Sequence, residues 1–172
     1  EDGLHYFNNV KKEFENYRTE IRKLYSSIED NLHDAYWNNI KMELSKNPPN
    51  NVVILDLLTE CKDMLLSCNK HIKSELDEKI DIEFIKDMIE HNVIDNTYIY
   101  NMCLYIMGYI EQFQPRIRDE ETKEWKGEVL KRFEIGIQNE EFFPFFFRGV
   151  FEKLQHILYE IDIFRHIQDN MS

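Results

Sequence analysis

The sequence predicts an all-α fold, a single-domain bundle of about six or seven helices around a buried central helix at about 98–114. Three observations carry that expectation. Apolar residues recur at helical spacing along most of the chain. Five glycines and four prolines in 172 residues are too few to punctuate the many short strands of a sandwich or barrel. Charged residues make up 31% beside 42% hydrophobic ones, the mixture expected of helices with one solvated face. A chain of this length is one domain, or a domain plus an appended helix. We divide it into an N-terminal amphipathic helix over 1–34 and a helical domain over 35–172.

The first stretch has the most regular period. Phe7, Val10, Phe14, Tyr17, Ile21, Leu24 and Ile28 alternate spacings of three and four, which makes an a/d seam of about three heptads. Such a seam needs a partner, either the body of the domain or a second copy of the chain. Its aromatic content suits a groove on the body better than a regular zipper, while a homodimer through this helix stays open. The helix continues or breaks near Asp30–Asp34, and Tyr36, Trp37, Ile40 and Leu44 carry the apolar face on. The run Asn47-Pro48-Pro49-Asn50-Asn51 predicts a turn.

The next helix is expected over about 51–71, with Ile54, Leu57, Leu58, Cys61, Met64, Leu65 and Cys68 as its stripe. Asp81 reads as the N-cap of a short helix with Phe84, Ile85, Met88 and Ile89 inward, and Asn92 as its C-terminal cap. Asp95 caps the helix from Tyr98 to about Gln114. That stretch is apolar all round and should be surrounded by other helices, with Gly108 permitting a close helix contact. After Pro115 a more polar helix is expected over about 117–138, with Trp125, Val129, Leu130 and Phe133 on one face. The last helix should begin near Phe142, with Pro144 in its first turn.

Composition excludes several functions. A net charge of −12 repels the phosphates that a nucleic-acid binder must attract, and anionic lipid as well. Lys11, Lys12, Arg18, Arg22 and Lys23 are best read as partners of nearby glutamates on a solvated helix. No apolar run is long enough to cross a bilayer. Three cysteines, Cys61, Cys68 and Cys103, form an odd set within apolar stretches. They indicate buried thiols and a reducing, cytoplasmic location. Absence of an initiating methionine suggests a piece of a longer protein. A single alanine, Ala35, beside abundant Ile, Asn and Lys points to AT-rich coding, as in some protists and large DNA viruses.

Chemistry is hard to place on this sequence. The isolated glycines build no phosphate loop or dinucleotide fingerprint. Asp30 with His33, and the four-residue spacings Glu29–His33, Glu152–His156 and Asp162–His166, do not make the paired Glu-x-x-His of a di-iron bundle. Cys61, Cys68 and His71 lack a fourth zinc ligand, and Cys68 with His71 is one Cys–His pair of the sort that chance supplies. We expect no cofactor and no metal.

Two segments stand out as partner contacts. Five phenylalanines in the six positions 142–147 exceed what one helical face is expected to bury. Phe142, Phe143, Phe145 and Phe146 are therefore candidates, the other reading being a hydrophobic staple with core packing. Arg116, Arg118, Asp119 and Glu120 concentrate charge at a helix start. They are candidates for an acidic or phosphorylated partner, the other reading being arginines that pair with carboxylates of neighbouring helices.

Together these segments resemble the T-complex protein 11 family. The resemblance covers about residues 35–168. It rests on Ala35-Tyr36-Trp37, Pro48-Pro49-Asn50, Leu76-Asp77, Ile82-Glu83-Phe84-Ile85, Ile89-Glu90, Ile94-Asp95 and, most specifically, Arg118-Asp119-Glu120-Glu121, which is similar to the family's Pro-Val-Arg-Asp-Glu-Glu. Here the proline comes one position early, with Arg116 before Ile117, and Asn92 stands where the family often has glycine. The resemblance implies an all-α domain without known catalytic activity, linked to cyclic-AMP and protein kinase A signalling. The expected function is thus a non-enzymatic regulatory domain with a protein partner. The alternative is a self-associating assembly protein that uses the seam at 7–28.

Overall fold

A computed structural model describes residues 2–171, apart from the side chains of Arg22, Tyr25, Ser26, Ile28 and Glu29. Among the described residues there are seven α-helices, two 3₁₀ turns and no strand. They are α1 (Asp2–Ser45), α2 (Val52–Cys68), α3 (Lys73–Lys79), α4 (Ile82–Glu90), α5 (Asn96–Phe113), α6 (Asp119–Ile135) and α7 (Asn139–Met171). The turns are Lys70–Ile72 and Arg116–Arg118. By contacts the chain divides into residues 1–39 and 40–172.

The described part of the first unit is helical from Asp2 onward. α1 runs past Asp30–Asp34 without a break. Every described side chain from Asp2 to Glu20 is exposed. Tyr36 and Trp37 meet edge to face, with ring centres 5.0 Å apart.

The second unit is the bundle. Ile40 and Leu44, on the last turns of α1, are buried in it. Its core lies between α2 and α7, with α4 packed on α2, and α5 and α6 packed on α7. Leu57, Leu58, Cys61 and Leu65 of α2 and Phe142, Phe143, Phe146 and Phe147 of α7 are all fully buried, and the two helices pack on each other. Each such side chain contributes about 1.5–3 kcal/mol by leaving water.

The four buried phenylalanines share one face because a helix turns about 100° per residue, so positions 142, 143, 146 and 147 span about 140°. Phe145 points away from that arc and is half-buried. One face therefore does bury most of the run. Pro144 sits inside α7 rather than in its first turn, since the helix already begins at Asn139.

Local signals set the helix ends. Asp81 accepts a hydrogen bond from the Phe84 amide (3.1 Å) and Asp95 one from the Thr97 amide (2.8 Å), each satisfying an amide at a helix start. Asn92 has φ 54°. Its amide donates to the Ile89 carbonyl and that of Val93 to the Met88 carbonyl, a Schellman closure of α4.

Several expectations need correcting. The helix expected over 51–71 ends at Cys68, where Asn69 is extended, and a further short helix, α3, follows the turn. Phe84 points outward, leaving Ile85 as the fully buried residue of α4. α5 is not enclosed on every side. Ile99, Met102, Cys103, Ile106, Met107 and Ile110 are buried, but Tyr100, Asn101, Tyr105 and Gly108 face solvent. Tyrosine counts as apolar in a pattern, yet its ring can lie on the surface with the hydroxyl in water. Gly108 makes no close helix contact, since a Cβ there would meet nothing within 4 Å. The glycine that does so is Gly149, which lies directly under the indole of Trp125.

Candidate interaction surfaces

The arginine–acid turn is held from both sides. Pro115 ends α5, and its carbonyl accepts from the Arg118 amide at 3.0 Å. Gln114 donates to the Asp119 carboxylate (2.9 Å) and accepts from the Thr122 hydroxyl (2.5 Å). Thr122 is 2% exposed, so this bond satisfies a polar group that would otherwise be costly to bury. Arg118 reaches α7, where Nε and Nη2 both donate to Glu160 Oε1 at 3.3 Å. Arg118 is thus occupied in tying the start of α6 to α7, whereas Arg116 and Glu120 stand exposed. A cleft of about 40 Å³ lies beside this pair, with Thr122, Lys153 and His156 among its walls.

Of the phenylalanine cluster, Phe142, Phe143 and Phe146 belong to the core and offer nothing to a partner. Phe145 retains surface and is capped by Arg132, whose guanidinium carbon lies 3.7 Å from the ring centre, a cation–π contact. The candidate residues therefore separate into two surface groups, Arg116–Asp119–Glu120 and Phe145.

A third surface lies on residues that the sequence pattern assigns to the core. Between the start of α5 and the end of α6 an open groove of about 440 Å³ is lined by Asn96, Thr97, Tyr100, Leu130, Phe133 and Glu134. Its floor is firm, because Phe133 meets Tyr100 edge to face (5.1 Å) and Phe142 behind it (4.7 Å). Ile135, the last residue of α6, is 77% exposed. The available signals were the tyrosines of α5 and an isoleucine beyond the apolar stripe of α6.

On the seam of α1, Phe7, Val10, Phe14, Tyr17 and Leu24 are exposed and Ile21 is half-buried. Ile28, the last seam residue, lies outside the described side chains.

The thiols are not poised for chemistry. Burial pushes Cys61 and Cys103 far up, and Cys68 up to about 11. All three are therefore thiols rather than thiolates at neutral pH. Among the described residues no three His, Cys, Asp or Glu side chains gather as a metal site needs, and no helix is long and apolar enough to cross a membrane.

A family model described as T-complex protein 11 matches residues 9–165. The chain belongs to the T-complex protein 11 family. The match starts within α1, earlier than the motif resemblance at residue 35, and so takes in most of the seam. Human T-complex protein 11 homolog is 29% identical over 91 residues, covering 51% of this chain and 18% of that protein. Mouse T-complex protein 11 is 28% identical over 101 residues, covering 56% and 17%. The human T-complex protein 11-like X-linked protein 1 is 29% identical over 83 residues, covering 46% and 16%. The chain thus matches less than a fifth of the length of these curated relatives. No solved structure matches it.

Proposed function

We propose that this chain is a non-catalytic protein-interaction domain that docks an apolar segment of a protein partner in the groove between α5 and α6. The observation that carries the reading is the groove itself. Its aromatic floor is fixed by Phe133 packed between Tyr100 and Phe142, and its mouth is open to solvent. Rigid aromatic side chains at a surface cost little entropy when a partner covers them, and they dominate interface energies. Membership of the T-complex protein 11 family agrees with a non-enzymatic role. The family resemblance extends the reading to cyclic-AMP and protein kinase A signalling, with a component of that kinase system as the partner. Arg116 and Glu120 supply a second, charged contact on the same chain.

Affinity capture from the native cell, using the whole chain, tests this. A Tyr100→Asp, Leu130→Asp variant should lose its captured partner by at least about tenfold, in line with loss of a buried hot spot. Arg116→Glu should weaken the same partner by a smaller factor, and circular dichroism should show both variants folded. Retention of every partner by both folded variants would overturn the assignment.

A further inference from the structure

We infer that α1 pairs with α1 of a second copy of this chain as a parallel, in-register two-stranded coiled coil over residues 7–24. The inference stands on charge placement along α1, independently of the groove above.

With Phe7, Phe14 and Ile21 at heptad position a, and Val10, Tyr17 and Leu24 at d, the flanking positions are determined. Lys11 and Arg18 fall at e, and Glu13 and Glu20 fall at g. The outer positions b, c and f hold Asn8, Asn9, Lys12, Glu15, Asn16, Thr19, Arg22 and Lys23, polar without exception. Phe7 is 63% exposed, Tyr17 62% and Leu24 61%. α1 therefore presents one apolar seam about 26 Å long, at 1.5 Å per residue, edged by acid on one side and base on the other.

That edging selects the occupant and its direction. In a parallel pair, position g of one helix faces position e of the next heptad on its mate. Glu13 then faces Arg18 of the second copy, twice by symmetry. In an antiparallel pair with the same seam, g faces g and e faces e. Glu13 would then meet Glu20, and Lys11 would meet Arg18, so every flanking contact would be repulsive. A slip of one heptad would pair only residues 7–17 with 14–24, about one and a half heptads of seam, too short to persist in water. Arg18 already lies along the seam, with its guanidinium carbon 5.2 Å from the centre of the Phe14 ring.

Sedimentation equilibrium of the whole chain in low salt tests the pairing. The mass should rise from 21.0 kDa toward twice that value as the concentration passes through the tens of micromolar. Glu13→Arg alone should weaken association on the order of tenfold, because two attractive pairs become two repulsive ones. Arg18→Glu alone should do the same, and the double reversal should restore affinity to within about twofold. Direction is read by cross-linking in a Cys68→Ser background. Oxidised Phe7→Cys should form a disulfide-linked dimer, whereas an antiparallel pair would link Phe7→Cys only to Leu24→Cys. A constant 21.0 kDa mass at several hundred micromolar, a dimer that survives Phe14→Glu, or the antiparallel cross-link would each overturn the inference. Loss of the captured partner in the groove variants leaves these outcomes untouched, so the two readings fail separately.

Discussion

Gly149 is the residue whose identity this packing restricts most. A Cβ built there would collide with Trp125 Nε1 and lie 2.6 Å from Cε2, well inside contact distance. The indole is not free to swing aside, since it stacks on Phe146 (5.8 Å, 15°) and carries Lys153 over its outer face. Glycine is ordinarily a poor helix residue, and replacing it with alanine in an open helix gains about 1 kcal/mol. At Gly149 that gain is opposed by overpacking of about 1–3 kcal/mol. Gly108 and Gly127 have nothing within 4 Å of the same added atom. Gly149→Ala should therefore lower the urea midpoint, while Gly108→Ala and Gly127→Ala raise it. In a Trp125→Leu background the Gly149 penalty should shrink, as residues in direct contact couple. A stabilising Gly149→Ala would mean that the indole rearranges at no cost.

At the scale of elements, helix ends were more legible than helix neighbours. Asp81, Asn92 and Asp95 were readable because a cap depends on one side chain and the backbone beside it. The stripe of α2 was readable because five of its seven residues are core residues. α3 was not, since it offers a single buried side chain, Leu76, among charges. The phenylalanine run misled because counting aromatics ignores their angles, and only Phe145 falls off the buried arc. Around the candidate site, the charged run at 116–120 was legible as the helix start it forms. Its partner Glu160, 42 residues away, left no trace in local pattern. The groove at Tyr100 and Phe133 was invisible for the same reason, because it exists only where two helices fail to cover each other.

The cap at Asn92 supports a prediction of the same scale. A φ of 54° suits glycine and is tolerated by asparagine, whereas other side chains cost about 1–2 kcal/mol there. Asn92→Gly should leave the melting temperature unchanged or raise it. Asn92→Val should lower it by several degrees, the shift expected for about 1 kcal/mol in a domain of this size. Asp95→Ala should cost about 1 kcal/mol through the lost Thr97 bond. Thermal melts followed by circular dichroism decide all three, and a neutral Asn92→Val would contradict the Schellman geometry.

For the molecule as a whole the governing quantity is charge. At −12 the folded chain repels itself at neutral pH. Protonating its six histidines halves that charge. His91 adds to this specifically, because its ring nitrogen donates to the Asp87 carbonyl (2.8 Å) beside the Asp87 carboxylate. That bond raises its pKa. A raised folded value means the stabilisation is complete below the unfolded pKa, near 6.5, and fades as pH rises past it.

The acidic side has the opposite sign. Asp77 accepts from Lys62 and Lys73, both at 2.8 Å, and these bonds hold its carboxyl down to about 2. The lysine bonds to Glu75 and Glu43 also lower those carboxyls. A lowered folded value means stability is present above the unfolded carboxylate pKa, near 4, and lost as pH falls toward 2. Lys62 makes Asp77 the weightier case. It is only 15% exposed and also donates to the Ile80 carbonyl, so protonating Asp77 strands a half-buried cation. Melting temperature should therefore peak near pH 5 and fall on both sides, measured at low micromolar chain so that association contributes little. His91→Gln should flatten the limb above pH 6, and added salt should flatten it further by screening the net charge. Asp77→Asn should start lower and lose part of its slope between pH 4 and 2. An acid limb of undiminished slope in Asp77→Asn would show that the lysine bridge between α2 and α3 does not couple to folding.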